Sequence, residues 1–151
     1  MGSDLRLQGP SVNEDELFVD TSAWSLLLRR DRPTDHPVVT KLRDAIDGDG
    51  AIWTTGLILQ ELLQGFPRPS SATAIVHQFE SLDFVTPTRD DHIRAATVVN
   101  ECGRAGVQVK TVDALLAALC LDRSFVMVSA DRDFEHIANH VPLRRWEAPA
   151  A

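Results

Sequence analysis

A chain of 151 residues with 44% hydrophobic positions suffices for one domain with a single sizeable core. A formal net charge of −7 excludes a protein that holds nucleic acid chiefly by bulk positive charge. It leaves a nuclease open, since carboxylates clustered around a cation make a protein acidic for their own reason. No apolar run approaches the roughly 18 residues of a membrane span, and no basic stretch leads into an apolar core as in a secretory leader. Cys102 and Cys120 fall in helical patterns without metal-site spacing, which predicts buried thiols in a reducing cytoplasm.

Met1-Gly2-Ser3 resembles an expression tag, and Asp4 to Glu16 lacks periodicity. Residues 1–16 are therefore expected to be a tag or flexible arm, 17–147 the folded domain and 148–151 a flexible end. Leu17-Phe18-Val19 reads as a buried strand that ends at Asp20 and feeds a helix from Ser22 to about Arg30. Pro37 opens a second helix, whose Val38, Val39, Leu42 and Ala45 recur at helical spacing. Ala51 to Trp53 is a second strand, with Thr54 or Thr55 capping a helix from Gly56 to about Phe66. A helix through Ile75 and Phe79 leads to a third strand over Asp83–Thr86.

Thr88 caps a long helix that Gly103 to Gly106 closes, and Thr111 is expected to cap the next. Phe125 to Val128 is a fourth strand with no polar alternation, and a short helix follows over Asp131–Asn139. Leu143 to Trp146 is expected to be an edge strand. Strands alternating with helices predict an α/β fold, a three-layer α/β/α sandwich around a mostly parallel sheet. The wholly apolar runs suit central strands.

Asp20 ends the first strand and Asp131 follows the fourth, so both belong to the crevice at the carboxyl ends of the strands. Glu61 is flanked on its helix by Leu57, Ile58, Leu62 and Leu63, and Asp113 has Val109 behind it and Leu116 and Ala117 at i+3 and i+4, which predicts carboxylates leaning toward the core. Unpaired buried carboxylates cost several kcal/mol or become neutral, and a divalent cation resolves that conflict. Hard oxygen ligands suit Mg²⁺ or Mn²⁺. Taken singly, each acid has a plainer role: Asp20 or Asp131 as a helix cap, Asp113 beside a helix dipole, Glu61 as a surface residue.

Val19-Asp20-Thr21-Ser22-Ala23-Trp24, Gln60-Glu61-Leu62-Leu63-Gln64-Gly65, Thr111-Val112-Asp113-Ala114-Leu115-Leu116 and Ser129-Ala130-Asp131-Arg132-Asp133-Phe134 occur in this order. The set resembles the four signatures of PIN-domain ribonucleases, the VapC toxins of bacterial toxin–antitoxin pairs in particular. The resemblance implies Mg²⁺ or Mn²⁺ on Asp20, Glu61, Asp113 and Asp131, supporting hydroxyls at Ser22 and Ser129, and Asp133 as a further acidic position. It also implies an RNA substrate cut to a 5′-phosphate and a 3′-hydroxyl, a small VapB-like antitoxin and a homodimer. The alternative is a non-catalytic PIN-like scaffold that binds RNA or protein. A phosphoacceptor domain or a dehalogenase-like phosphatase wants a second acid beside the first, where Thr21-Ser22 stand.

Arg29, Arg30 and Arg32 are candidate phosphate contacts or helix-end charges, and Arg132 is a candidate phosphate contact. His136 and His140 read as a solvated helix face. Trp24 and Leu26-Leu27-Leu28 predict surplus apolar surface on the first helix for a dimer or antitoxin contact.

Overall fold

The computed structural model describes residues 15–29, 34–48 and 50–150. Most of the expected arm, Arg30, Arg32 and Ala151 lie outside the described residues. In chain order the elements are β1 (Leu17–Val19), α1 (Thr21–Leu28), α2 (Pro37–Asp47), β2 (Ile52–Thr54), α3 (Gly56–Gly65), α4 (Pro69–Phe79), β3 (Asp83–Phe84), α5 (Arg89–Arg104), α6 (Thr111–Arg123), β4 (Val126–Val128) and α7 (Asp133–Ala138).

The strands pair in parallel in the order β3-β2-β1-β4. The chain steps from β1 to β2 to β3 in one direction, then returns across two strands to β4. Right-handed crossovers put α1–α4 on one face of the sheet and α5 and α6 on the other, in keeping with the packing of α1 on α2 and α3, of α3 on α4, and of α5 on α6. This is the expected three-layer α/β/α architecture.

Several local expectations change. β1 is central, but β4 lies at the sheet edge, covered by the chain at 144–146. That segment is a single parallel bridge rather than a full strand: Met127 N–H donates to Arg144 O, and Trp146 N–H to Met127 O, both at 2.9 Å. β3 is shorter than expected, although Val85 N–H still donates to Thr54 O at 2.9 Å. Thr55 precedes α3 but does not cap it with its side chain. Its buried hydroxyl donates instead to Val85 O at 2.7 Å, a tertiary bond that outcompetes the local one. Lys110, not Thr111, is the N-cap residue of α6, and the first turn closes where Ala114 N–H donates to Lys110 O. Leu26, Leu27 and Leu28 are half-buried. The more exposed large apolar side chains lie elsewhere, on Phe84 and Ile93 above all.

The core is built on α6 and β1. Ala114 to Cys120 are all buried, because α6 lies between the sheet and α5 and has no solvent face over that run. Cys102 and Cys120 are buried free thiols. α5 is locked at both ends of its first turn. Thr88 and Asp91 form a capping box, and Asp91, 2% exposed, receives both terminal nitrogens of Arg123 from α6 at 2.9 Å. The Arg123 guanidinium holds the Asp91 carboxyl down at about 2.

A depressed carboxylate contributes stability that is fully present above the unfolded pKa and lost as the pH falls through the folded one. Arg123→Met leaves a buried charge without its partner. It is expected to lower the unfolding free energy by about 3 kcal/mol at neutral pH, the gap to wild type narrowing as the pH approaches 2. Urea titrations across pH measure both effects.

Candidate active site

The register of the sheet builds the site. Leu17, Phe18 and Val19 pair with Val126, Met127 and Val128, which brings Asp20 level with Ser129. Asp20 N–H donates to Val128 O at 3.1 Å, extending the ladder one step to the crevice. There the chain returns from β3 across the sheet while β1 leads the other way, the switch point at which open α/β sheets bind ligands.

Asp20 is 5% exposed and both its carboxylate oxygens are engaged. Oδ1 accepts from the Ser22 hydroxyl at 2.7 Å and from Ala23 N–H at 3.3 Å; Oδ2 accepts from the Ser129 hydroxyl at 2.8 Å. Each serine in turn accepts from the loop after β4: Ser22 from Ala130 N–H and Ser129 from Asp131 N–H, both at 2.9 Å. Both hydroxyl protons are thereby committed to Asp20, so the 3.2 Å approach of Ser22 to Ser129 is packing rather than a third bond. Asp20 is also the N-cap of α1, so the plainer role and the clustered one coexist. Burial pushes its carboxyl above the ordinary value. The Ser22 and Ser129 hydroxyls and the Ala23 N–H oppose that shift, and the charge on Asp131 adds to it.

Asp113, in the first turn of α6, is half-buried and its carboxyl is pushed up to about 6. Burial is the largest cause. Repulsion from Asp133, then Asp131 and more weakly Asp20 adds to it, against the attraction of Lys110. Asp131 is exposed; its Oδ1 accepts from Asp133 N–H at 3.0 Å and so steadies the start of α7. Asp20, Asp131 and Asp133 thus all lie near enough for their charge to be felt at Asp113.

Glu61 departs from its expected orientation. The buried stripe of α3 is narrow, Ile58 and Leu62 only, which turns Glu61 outward to the rim. There its Oε1 accepts from the Thr21 hydroxyl at 3.1 Å. Thr21 is one neighbour of the candidate site that the sequence pattern did not single out, and its position directly after Asp20 was the available signal. Lys110 is the second, as a cation next to Asp113 in space and three residues from it in sequence.

Among the described residues none of the five acids is in a salt bridge. Among the described residues no three stand close enough to close around one ion; Asp131 accepts from Asp133 N–H and Glu61 from the Thr21 hydroxyl forty positions away. The repulsion acts over longer distances than metal ligation and is felt all the same. The donor set is all carboxylate oxygen, which fits a hard divalent cation. His136 and His140 are exposed, as expected.

Fold and site together define a three-layer α/β protein with an acidic crevice at the strand ends. The family model of the PIN domain matches residues 17–140, and the chain belongs to the PIN-domain family. Solved structures share the fold at low identity. VapBC-1 from nontypeable Haemophilus influenzae aligns with TM-score 0.67 at 15% identity, over 87% of this chain and 96% of that one. VapC20 of Mycobacterium tuberculosis, described as a sarcin–ricin loop cleaving toxin, aligns with TM-score 0.65 at 22% identity, over 85% and 99%. VapBC2 from Rickettsia felis, bound to a promoter DNA fragment, aligns with TM-score 0.66 at 15% identity, over 87% and 98%.

Folding disfavours the charged form of Asp113. That penalty is complete above about pH 6 and absent below the unfolded value of 3.8. Asp113→Asn is therefore expected to raise the metal-free melting temperature at pH 8, and the gain should shrink as the pH falls through 6 toward 4. Thermal melts in EDTA over that range check the sign.

Proposed function

We propose that this protein is a metal-dependent endoribonuclease that hydrolyses RNA phosphodiester bonds, with Asp20, Glu61, Asp113 and Asp131 holding Mg²⁺ or Mn²⁺. The observation that carries this reading is a set of carboxylates without ion-pair partners among the described residues, of which Asp20, Asp131 and Asp133 all repel Asp113 and, with burial, hold it at about 6. A structural cluster of acids would have acquired arginine or lysine partners, as Asp91 has. Membership of the PIN-domain family supports the same assignment.

Bound there, the cation would lower the pKa of a water and neutralise charge growing on the phosphoryl group. The protein's own part is positional. Ser22 and Ser129 fix Asp20 and the Ala130–Asp131 backbone as one unit before any ligand arrives. Asp113 faces the same crevice from α6, while Glu61 and Asp131 offer exposed oxygens at its rim. Asp133 adds negative charge beside Asp113 and tightens its demand for a cation. Lys110 and the exposed Arg132 are the nearby positive groups for substrate phosphate.

The biological role we assign is the toxin of a toxin–antitoxin pair, acting as a homodimer and restrained by a small VapB-like partner. Support comes from the fold shared with structures whose names describe VapC proteins and VapBC complexes. A guanidinium from such a partner would compete with metal for the same carboxylate oxygens. The half-buried Leu26, Leu27 and Leu28 offer it an apolar strip. Among the described residues no helix is long and apolar enough to cross a membrane.

Single-stranded RNA should be cut in Mg²⁺ or Mn²⁺ and spared in EDTA, and Asp20→Asn should slow cleavage by about 100-fold or more. Metal should also raise the melting temperature, by the equivalent of about 2.7 kcal/mol at a hundredfold excess over Kd. RNA binding without cleavage in either metal would establish the non-catalytic scaffold instead. In a bacterial host, expression is expected to arrest growth and Asp113→Ala to relieve the arrest; equal toxicity from a folded Asp113→Ala variant would exclude this site as the cause.

A further inference from the structure

A sizeable concavity of the described surface lies apart from the acidic crevice. It is a cleft of about 820 Å³ where the end of α1 meets the α3–α4 junction, within the roughly 300–1,000 Å³ typical of ligand clefts. Its charge is opposite to that of the chain as a whole. Arg29, the residue that ends α1, and Arg68, which precedes α4, both line it, and among its described lining residues there is no acid. In a protein of net charge −7 that is a marked local reversal. Both arginines are exposed, and neither makes an ion pair or a side-chain hydrogen bond among the described residues. Ser70, Ser71 and Gln78 add side-chain hydrogen-bonding groups, and Phe66 provides a half-buried aromatic ring.

The cleft is joined to the carboxylates by two helices. Gly65, on its wall, is one turn beyond Glu61, about 6 Å along the axis of α3. Arg29 terminates the helix whose first residue, Thr21, bonds Glu61. We propose that this cleft is the strand-binding subsite of the nuclease: it takes the single-stranded RNA flanking the scissile phosphate, with Arg29 and Arg68 on backbone phosphates and a base against Phe66. The inference rests on the endoribonuclease reading and deepens it. The chemistry fits a single strand, since guanidinium forks bind phosphate oxygens in pairs and aromatic faces stack any unpaired base without selecting its sequence. An acidic protein needs such a local grip, because its overall field repels the polyanion it must hold.

The test is the double variant Arg29→Gln/Arg68→Gln, with Arg43→Gln on α2 as a control for bulk charge. Fluorescence anisotropy with a short labelled single-stranded RNA in EDTA reads binding while cleavage is silent. The double variant should bind about tenfold more weakly. The slope of log affinity against log salt should flatten by about 1.4, at about 0.7 for each phosphate that no arginine neutralises any longer. Under cleavage conditions in Mg²⁺, KM should rise with kcat unchanged, since neither arginine touches the reacting atoms. Arg43→Gln should change little, and an unchanged melting temperature confirms that the variants fold. Affinity and salt slope equal to wild type would overturn the subsite and leave the nuclease standing. So would an equal loss in Arg43→Gln, or a double variant that loses only binding of a protein partner. Absence of both binding and cleavage in the wild type would overturn the nuclease reading itself.

Discussion

Everything at the crevice depends on one arrangement: a carboxylate buried at the end of a central strand and satisfied by two serines. Asp20 at 5% exposure is costly unless each oxygen has donors. Ser22 comes from the helix that Asp20 itself caps, and Ser129 directly follows the strand paired with β1. Because each hydroxyl also receives a backbone N–H from the loop after β4, the network sets the path of Ala130 and Asp131 as well as the rotamer of Asp20. Removing either serine would orphan a donor and an acceptor together, and such partly satisfied networks are worse than apolar ones. β1, α1 and the β4–α7 turn are therefore held in one geometry by the atoms that prepare the site.

The chain treats its acids in two opposite ways. Asp91 is buried deeply and fully compensated by Arg123 and Thr88, which holds it near 2 and makes it a joint between α5 and α6. Asp113 is buried by half and surrounded by like charge, which holds it near 6. Compensated charge serves stability; uncompensated charge is a stored demand for a cation. In the proposed nuclease the local reversal of sign at Arg29 and Arg68 would set a part of the surface suited to phosphate apart from the acidic part suited to a cation.

Much of the fold was legible from periodicity. The β–α alternation, the apolar β1 and β4, the Pro37 helix start and the Thr88 cap are all local signals, and each survives into the structure. The closeness of Asp20 and Asp131 was legible because the carboxyl ends of parallel strands meet on one side of a sheet, whereas Asp113 reaches them from the first turn of α6. The partners of those acids were less so. Ser129 lies 109 positions from Asp20, and which of its neighbours a hydroxyl bonds is settled by strand register, which no local pattern encodes. Thr55 shows the same limit: its sequence context is that of a helix cap, and a carbonyl 30 positions away claims it instead.

The sequence by itself determined the order of the elements, the four acidic signatures and the helix-capping role of Asp20, since these follow from side-chain chemistry acting over a few residues. Tertiary structure decided the rest. It turned Glu61 outward, because the buried stripe of α3 holds only Ile58 and Leu62. It made β4 an edge strand, because the order in which strands pair is set by long-range contacts and not by how apolar a strand is. It raised Asp113, because burial and the charges on Asp133 and Asp131 reach it through space from a different helix and loop. It also brought Arg29 and Arg68 to one cleft, although 39 positions separate them, because the end of α1 packs where α3 gives way to α4.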